Sequence, residues 1–184
     1  MALTQVQGGM ILPSTTLTTP IVATTMGVGG ATPAASGSGI TFPATQSAST
    51  DANTLDDYEE GTWTPNVGGN ATYTFQRGTY TKIGRQVVAV FDLAISTIGT
   101  GSTSRISGLP FSSASGAGSP QGVVAPVSYW DTLNVSVYWL AWRIDENVTF
   151  MDNTYTTTAT ASPTANGPVF KNGTRVIGTL TYFV

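Results

Sequence analysis

Apolar and polar residues alternate along most of the chain after residue 60, and this two-residue period predicts β-strands. The longest alternating run covers residues 86–96, in which every second side chain is apolar. Shorter runs at 71–75, 79–83, 123–129 and 174–184 predict further strands, with turns at Arg77-Gly78 and Asn172-Gly173. We find no segment with helical periodicity. Strands separated by Gly-rich turns predict an all-β fold, a β-sandwich of jelly-roll-like form.

Residues 135–144 differ from the other predicted strands because both of their faces are apolar. A strand that is apolar on both sides is either central in a sandwich or lies at a subunit interface. One face combines Val135, Val137, Trp139 and Ala141, and the other combines Tyr138, Leu140, Trp142 and Ile144.

The first 50 residues form a different kind of segment, because they contain no Asp, Glu, Lys or Arg. Proline and glycine recur too often for a helix or a long strand, and the apolar groups are too small to form a core. Two interpretations fit: a flexible linker, or an extended arm that becomes ordered by docking into a larger assembly. We predict an uncharged anchoring arm over residues 1–50, an acidic collar over residues 51–60 and a sandwich head over residues 61–184.

The collar, DANTLDDYEE, holds five of the ten acidic residues and is expected to be an exposed turn or a short helical turn. A calcium loop is one interpretation, but the liganding pattern is broken at Leu55. The alternative is a solvated acidic turn that pairs with basic residues of a neighbouring subunit. The residues predicted for such charge contacts are Asp56, Asp57, Glu59, Glu60, Arg77, Lys82 and Arg85.

Composition excludes several classes of site. The chain has no Cys and no His, which rules out disulfides, thiolate zinc sites, Ser-His-Asp and Cys-His nucleophiles and histidine pH switches. Its net charge of −3 gives no basic face for nucleic acid. No apolar run is long enough for a membrane helix. We therefore expect no metal, no cofactor, no nucleic acid and no membrane insertion.

Tyr129-Trp130-Asp131 is the candidate binding site, because it ends a predicted strand and begins a loop. Sugar rings stack on aromatic faces, while a carboxylate accepts hydrogen bonds from hydroxyl groups. The alternative is that Trp130 packs into the core or a subunit interface. A glycan depolymerase would need two carboxylates across a cleft. The head offers only Asp92, Asp131, Asp145, Glu146 and Asp152, for which turn and surface roles are expected.

Three stretches carry a resemblance to a known family: GITFP at 39–43, NTLDDYEEGTWTP at 53–65 and YTKIGR at 80–85. This pattern resembles a module found in tail-fibre and other fibre-like virion proteins of tailed bacteriophages. The match covers roughly residues 39–95 and extends loosely to the end of the chain.

The resemblance implies a virion structural protein, usually a homotrimer, with a β head on an extended stem. It leads us to expect a short tail fibre or spike on the tail or particle surface, docked on other virion proteins through residues 1–50. Its head is expected to adhere to host-surface glycan or lipopolysaccharide. A capsid or tail decoration protein is the first alternative and a depolymerase is the second; we expect a protein that is not an enzyme.

Overall fold

A computed structural model describes residues 25–46, 49–51, 53–115 and 125–184 of the 184-residue chain. The first 24 residues of the predicted arm therefore lie outside the described residues. The chain divides into two compact units between Ser47 and Ala48.

In the first unit, strand β1 (Thr25–Gly27) pairs in parallel with strand β2 (Gly39–Thr41). The connection is held locally, because the Thr25 hydroxyl donates to the Ala34 carbonyl at 2.6 Å and the Ala34 amide donates to the Thr41 hydroxyl at 3.1 Å. This part of the predicted arm is thus a small two-stranded sheet closed by threonine side chains.

The second unit is a β-sandwich, as the sequence predicts, and its described part contains no helix. Its first sheet has the antiparallel order β3-β4-β5-β11-β7. The bounds of these strands are β3 Tyr58–Trp63, β4 Thr72–Ile83, β5 Gln86–Thr97, β7 Ala125–Asp131 and β11 Arg175–Phe183.

The second sheet continues from the first through β7, which belongs to both. Ala125 and Pro126 of β7 pair with β8 (Trp139–Arg143), whereas Val127–Asp131 pair with β11. Next comes β9 (Phe150–Thr156), whose other edge pairs with the short strands β6 (Arg105–Ser107) and β10 (Thr164–Ala165). The sandwich is therefore one antiparallel sheet that changes layer at β7.

The core between the layers contains a row of four aromatic rings. Trp63 meets Phe91 edge-on with ring centroids 6.1 Å apart, and Phe91 meets Trp142 at 6.3 Å. Trp142 stacks on Phe170 at 5.6 Å. All four side chains are buried. Edge-to-face and offset-stacked pairs at these distances are the favourable aromatic geometries.

Two glycines make room for aromatic side chains that lie across neighbouring strands. The Trp63 indole on β3 passes over Gly78 on β4 and donates from Nε1 to the Val90 carbonyl on β5 at 3.1 Å. A Cβ at Gly78 would lie 2.6 Å from Trp63 Cδ1, and one at Gly61 would lie 2.6 Å from the Tyr80 hydroxyl oxygen. The EEGTW stretch of the sequence is therefore matched in shape to the strand beside it.

The strand predictions hold best where the alternation is longest. The predicted core face of β5 is buried as expected; its members are Val87, Ala89, Phe91, Leu93 and Ile95. The predicted turn at Arg77-Gly78 is wrong, because β4 runs unbroken through both residues. The collar is not wholly a turn, because β3 begins at Tyr58. The predicted strand at 135–144 is shorter, since residues 132–138 form a loop before β8.

We expect Gly78→Ala to lower the free energy of unfolding by about 2 kcal/mol, because the methyl group overlaps the Trp63 indole. Urea unfolding followed by tryptophan fluorescence measures the change. Thr79→Ala, at the neighbouring residue whose side chain points to the other face, is the control and should cost less than about 1 kcal/mol. Equal losses in the two variants would contradict the packing described for Gly78.

A second prediction concerns Tyr182, which is buried and clamps the loop at Phe111. Its hydroxyl donates to the Phe111 carbonyl at 3.1 Å and accepts from the Phe111 amide at 3.2 Å. Burial raises the pKa of Tyr182 to about 12, although the backbone bond to Phe111 acts in the opposite direction. Because the folded state then binds the proton more tightly than the unfolded state, stability should be complete below pH 10 and fall as the pH rises towards 12.

Urea unfolding at pH 9, 10 and 11, together with tyrosinate absorbance, measures this loss. Tyr182→Phe should be less stable at pH 9 but should lose less stability on going to pH 11. Part of the loss remains in the variant, because a hydrogen bond to Glu59 also raises the pKa of Tyr80 to about 12. Identical pH dependence in both proteins would show that Tyr182 does not carry the effect.

Candidate functional site

An open cleft of about 470 Å³ lies in the loop between β7 and β8, and residues 130–137 line it. Trp130, at its start, is 39% exposed. Asp131, Asn134 and Ser136 are exposed and add one carboxylate, one amide and one hydroxyl to the lining. The volume falls within the range of small-ligand sites. The cleft thus combines an accessible aromatic surface with hydrogen-bonding groups suited to a hydroxyl-rich ligand.

The segment 168–174 holds this loop in place. The Asn134 backbone amide donates to the Val169 carbonyl at 2.9 Å, and its side-chain Nδ2 donates to the Pro168 carbonyl at 3.0 Å. The buried Thr174 hydroxyl donates to the Thr132 carbonyl at 2.8 Å. These bonds fix the cleft to the start of β11, which is an interior strand of the first sheet.

Thr132 adopts φ 54°, a left-handed conformation that a β-branched residue rarely takes. Such a conformation costs on the order of 1–3 kcal/mol and persists only where the surroundings impose it, often at binding sites. The hydrogen bond from the Thr174 hydroxyl is one of the contacts that impose this conformation. The strained residue lies in the lining of the cleft, directly after Asp131.

The structure separates the three residues predicted for glycan contact. Trp130 and Asp131 line the cleft, but Tyr129 does not. Tyr129 pairs with Ile177 on the neighbouring strand and shares its sheet face, and the centre of its ring is 5.7 Å from the Arg175 guanidinium carbon. Adjacent strand residues point to opposite faces, so Tyr129 and Trp130 diverge. Thr132, Asn134 and Ser136 were missed in the sequence, because the prediction placed a strand from residue 135 and no local pattern showed that residues 130–137 would line one cleft.

Two of the residues predicted for charge contacts between subunits are paired inside one chain. The Asp57 carboxylate accepts a hydrogen bond from Lys82 Nζ, and both side chains are buried. Lys82 also lies 5.5 Å from the centre of the Phe111 ring. Lys82 opposes Val87 and so faces the core, which explains why it needs a buried counter-charge. A contact between subunits is therefore unnecessary for these two charges.

The remaining five residues of that prediction are at least partly accessible. Glu59 accepts from the Tyr80 hydroxyl and Glu60 from the Tyr58 hydroxyl. Asp56 Oδ2 accepts from the Ser49 amide at 2.8 Å. Arg85 Nε donates to the Val184 carbonyl at 3.1 Å, and the Arg77 guanidinium stacks on Phe75 at 4.4 Å. Contacts of these residues with another subunit stay a prediction.

The head carboxylates considered for catalysis are largely held by arginines. Asp92 accepts two hydrogen bonds from Arg175, at 3.0 and 2.9 Å. Asp152, which is buried, accepts two from Arg105 at 2.7 and 2.9 Å. Asp145 pairs with Arg143 at 3.2 Å. The two bidentate pairs, those of Asp92 and Asp152, fix the geometry of both partners, which is a structural role.

Within the described ranges, no group of three or more acidic residues is placed to hold a metal ion. The same ranges contain no helix long and apolar enough to cross a membrane.

No family model matches the chain, and no curated protein matches its sequence. Among solved structures, the Dettilon tailspike protein is similar, with a TM-score of 0.53 and 16% sequence identity. The alignment covers 68% of this chain and 24% of the tailspike chain, so this chain spans about a quarter of that protein's length. At this identity the likeness concerns the fold.

We expect Thr174→Val to lower the free energy of unfolding by about 1–2 kcal/mol, because it removes the hydrogen bond that the buried Thr174 hydroxyl donates to the Thr132 carbonyl. Hydrogen exchange should also become faster at residues 131–135. Thr179→Val, at a half-exposed position of the same strand, is the matched control and should stay within about 0.5 kcal/mol of the wild type. Unchanged exchange in the loop of the Thr174 variant would mean that the hydroxyl does not hold the cleft.

Proposed function

We propose that this chain is a structural component of a bacteriophage virion: a tail fibre or spike protein whose sandwich unit adheres to the host surface. The observation that carries the proposal is the sandwich fold shared with a tailspike protein. The tail-fibre pattern at residues 39–43, 53–65 and 80–85 supports the same reading. In this proposal the chain is part of a homotrimer and docks on other virion proteins through residues 1–50.

The cleft between β7 and β8 is the proposed contact with host glycan or lipopolysaccharide. An exposed Trp130 offers a flat apolar surface to a sugar ring, and Asp131 and Asn134 offer hydrogen-bond partners for hydroxyl groups. The loop is anchored to an interior strand, so a ligand would meet a preorganised site and little loop ordering would oppose binding.

We propose adhesion without turnover. Asp92, Asp145 and Asp152 are each in an ion pair with an arginine, and a carboxylate held in this way is poorly suited to proton transfer or nucleophilic attack. A glycan depolymerase remains the alternative enzyme class, and release of reducing ends from host polysaccharide would be its signature.

A decoration protein of the capsid or tail is the second candidate. One observation favours it: the open face of the first sheet exposes Tyr58, Ile83, Val90 and Phe183, which suits burial in an assembly. Labelling the chain in intact particles distinguishes the two placements. A copy number equal to that of the capsid lattice would favour decoration, and labelling at the tail would favour a fibre or spike.

The adhesion proposal predicts that Trp130→Ala weakens binding to surface polysaccharide by about tenfold or more, because the exposed indole supplies most of the stacking surface. The experiment measures binding of the full chain to an immobilised panel of bacterial lipopolysaccharides and capsular polysaccharides.

Trp139→Ala is the matched control, because Trp139 is 38% exposed but lies outside the cleft. It should bind like the wild type. Equal losses in both variants, or no polysaccharide bound by the wild-type chain across the panel, would contradict glycan adhesion at this cleft.

A further inference from the structure

The first sheet has a face that points away from the second sheet, here called the outer face. Residues directly opposite each other on antiparallel strands share a face. The registers therefore place four successive rows on the outer face: Tyr58-Ile83-Gln86-Phe183, Glu60-Thr81-Val88-Thr181, Thr62-Thr79-Val90-Thr179 and Arg77-Asp92-Ile177-Tyr129.

Nothing in the described part of the second unit covers the apolar side chains of this face. Five of them, two of which are tyrosines, are 42–50% exposed; they are Tyr58, Ile83, Val90, Tyr129 and Phe183. Five exposed apolar side chains on one sheet face, on a chain with only 9% charged residues, are typical of a protein interface.

The face is also large enough. Four strands lie side by side at each level of the face, and at about 4.8 Å spacing over the eight residue steps from Ile83 to Phe75 they span on the order of 500 Å². Two such faces together amount to about 1,000 Å², about the minimum for a specific interface.

Two shallow clefts lie on either side of the central residues Thr79 and Val90, and both clefts include these two residues. The first, of about 300 Å³, has Glu60 in its lining. The second, of about 310 Å³, has Arg77 and Asp92 in its lining, and the Asp92 charge is balanced by its ion pair with Arg175. The face therefore carries opposite charges on opposite sides of an apolar centre.

Arg77 is an exposed basic residue of the outer face. Its guanidinium stacks on Phe75, and Asp92, which opposes it across the strands, already pairs with Arg175. Among the described residues, no carboxylate lies within ion-pair distance of Arg77. Glu60 opposes Thr81, which is four residues and about 13 Å along β4 from Arg77.

We infer that the outer face binds a second copy of this chain, with Arg77 of one copy against Glu60 of the other. A two-fold axis that lies in the plane of the face, at Thr79 and Val90, places the acidic cleft of one copy against the basic cleft of the other. The opposite charges then match and the apolar centres meet. A two-fold pair makes the Arg77–Glu60 contact twice, and a closed trimer makes it three times head to tail. The inference deepens the proposed assembly and rests on it.

Sedimentation velocity of the full chain, over a range of concentrations at low and at physiological salt, tests the inference. The wild type should associate, and more tightly at low salt. Arg77→Glu and Glu60→Arg should each weaken association by about tenfold or more, because like charges then face each other. The double variant should recover association to within about threefold of the wild type.

Lys171→Glu carries the same charge change on an exposed residue of the loop before β11, and it should associate like the wild type. Thermal unfolding of each variant confirms that it is folded. A wild type that stays monomeric, single variants that associate normally, or a double variant without recovery would each overturn the inference. Glycan binding by the wild-type chain is measured separately, so the proposed adhesion survives or fails independently.

Discussion

A row of aromatic rings across the core, Trp63-Phe91-Trp142-Phe170, holds the two layers of the sandwich together, and the other features of the head depend on it. Gly78 has no side chain and so leaves room for the Trp63 indole. The indole then donates a hydrogen bond to strand β5, beyond the neighbouring strand β4. The edge strand β3 is thereby tied to β5 as well as to its neighbour β4. A sheet edge that is usually weak becomes part of the core.

This arrangement gives the tail-fibre-like stretches a physical meaning that is independent of any ligand. The stretches at 53–65 and 80–85 contact each other on adjacent strands. Gly61 lies under Tyr80, Glu59 accepts a hydrogen bond from Tyr80, and Asp57 forms an ion pair with Lys82. Breaking a buried ion pair by removing one partner costs about 3–5 kcal/mol. The stretches are therefore matched because two adjacent strands must fit together, whereas the binding site that we propose lies elsewhere, in the loop after β7.

The sequence predicted the fold class and the core face of β5, because two-residue alternation is a direct signal of a half-buried strand. It failed at Arg77-Gly78, where a glycine suggested a turn but served close packing inside a long strand. It also failed at residues 135–138, the first part of the strand predicted over 135–144 from its two apolar faces. Those residues belong to the loop at 132–138, whose shape is set by bonds from segment 168–174, some 35 residues away in sequence, which no local pattern shows.

The candidate site was only partly predictable for the same reason. Trp130 and Asp131 were identified from their residue types, whereas the divergence of Tyr129 follows from the strand pleat and from Arg175. Of the residues predicted for charge contacts, Asp57 and Lys82 meet within one chain, and contacts of the other five with another subunit stay a prediction. Charge segregation along a sequence indicates that opposite charges will meet, but the sheet register decides which ones do.

The position of the two end strands of the head determines how it resists mechanical load. The C-terminal strand β11 pairs with β5 along Arg175–Phe183, and its first residues, Arg175–Gly178, also pair with β7, so tension applied at its end must break the first ladder along its length and then the second. The first strand β3 has a single ladder, and the Asp57–Lys82 pair stands immediately before it. Tension applied on the N-terminal side of β3 therefore reaches the Asp57–Lys82 ion pair before it reaches the β3–β4 hydrogen bonds.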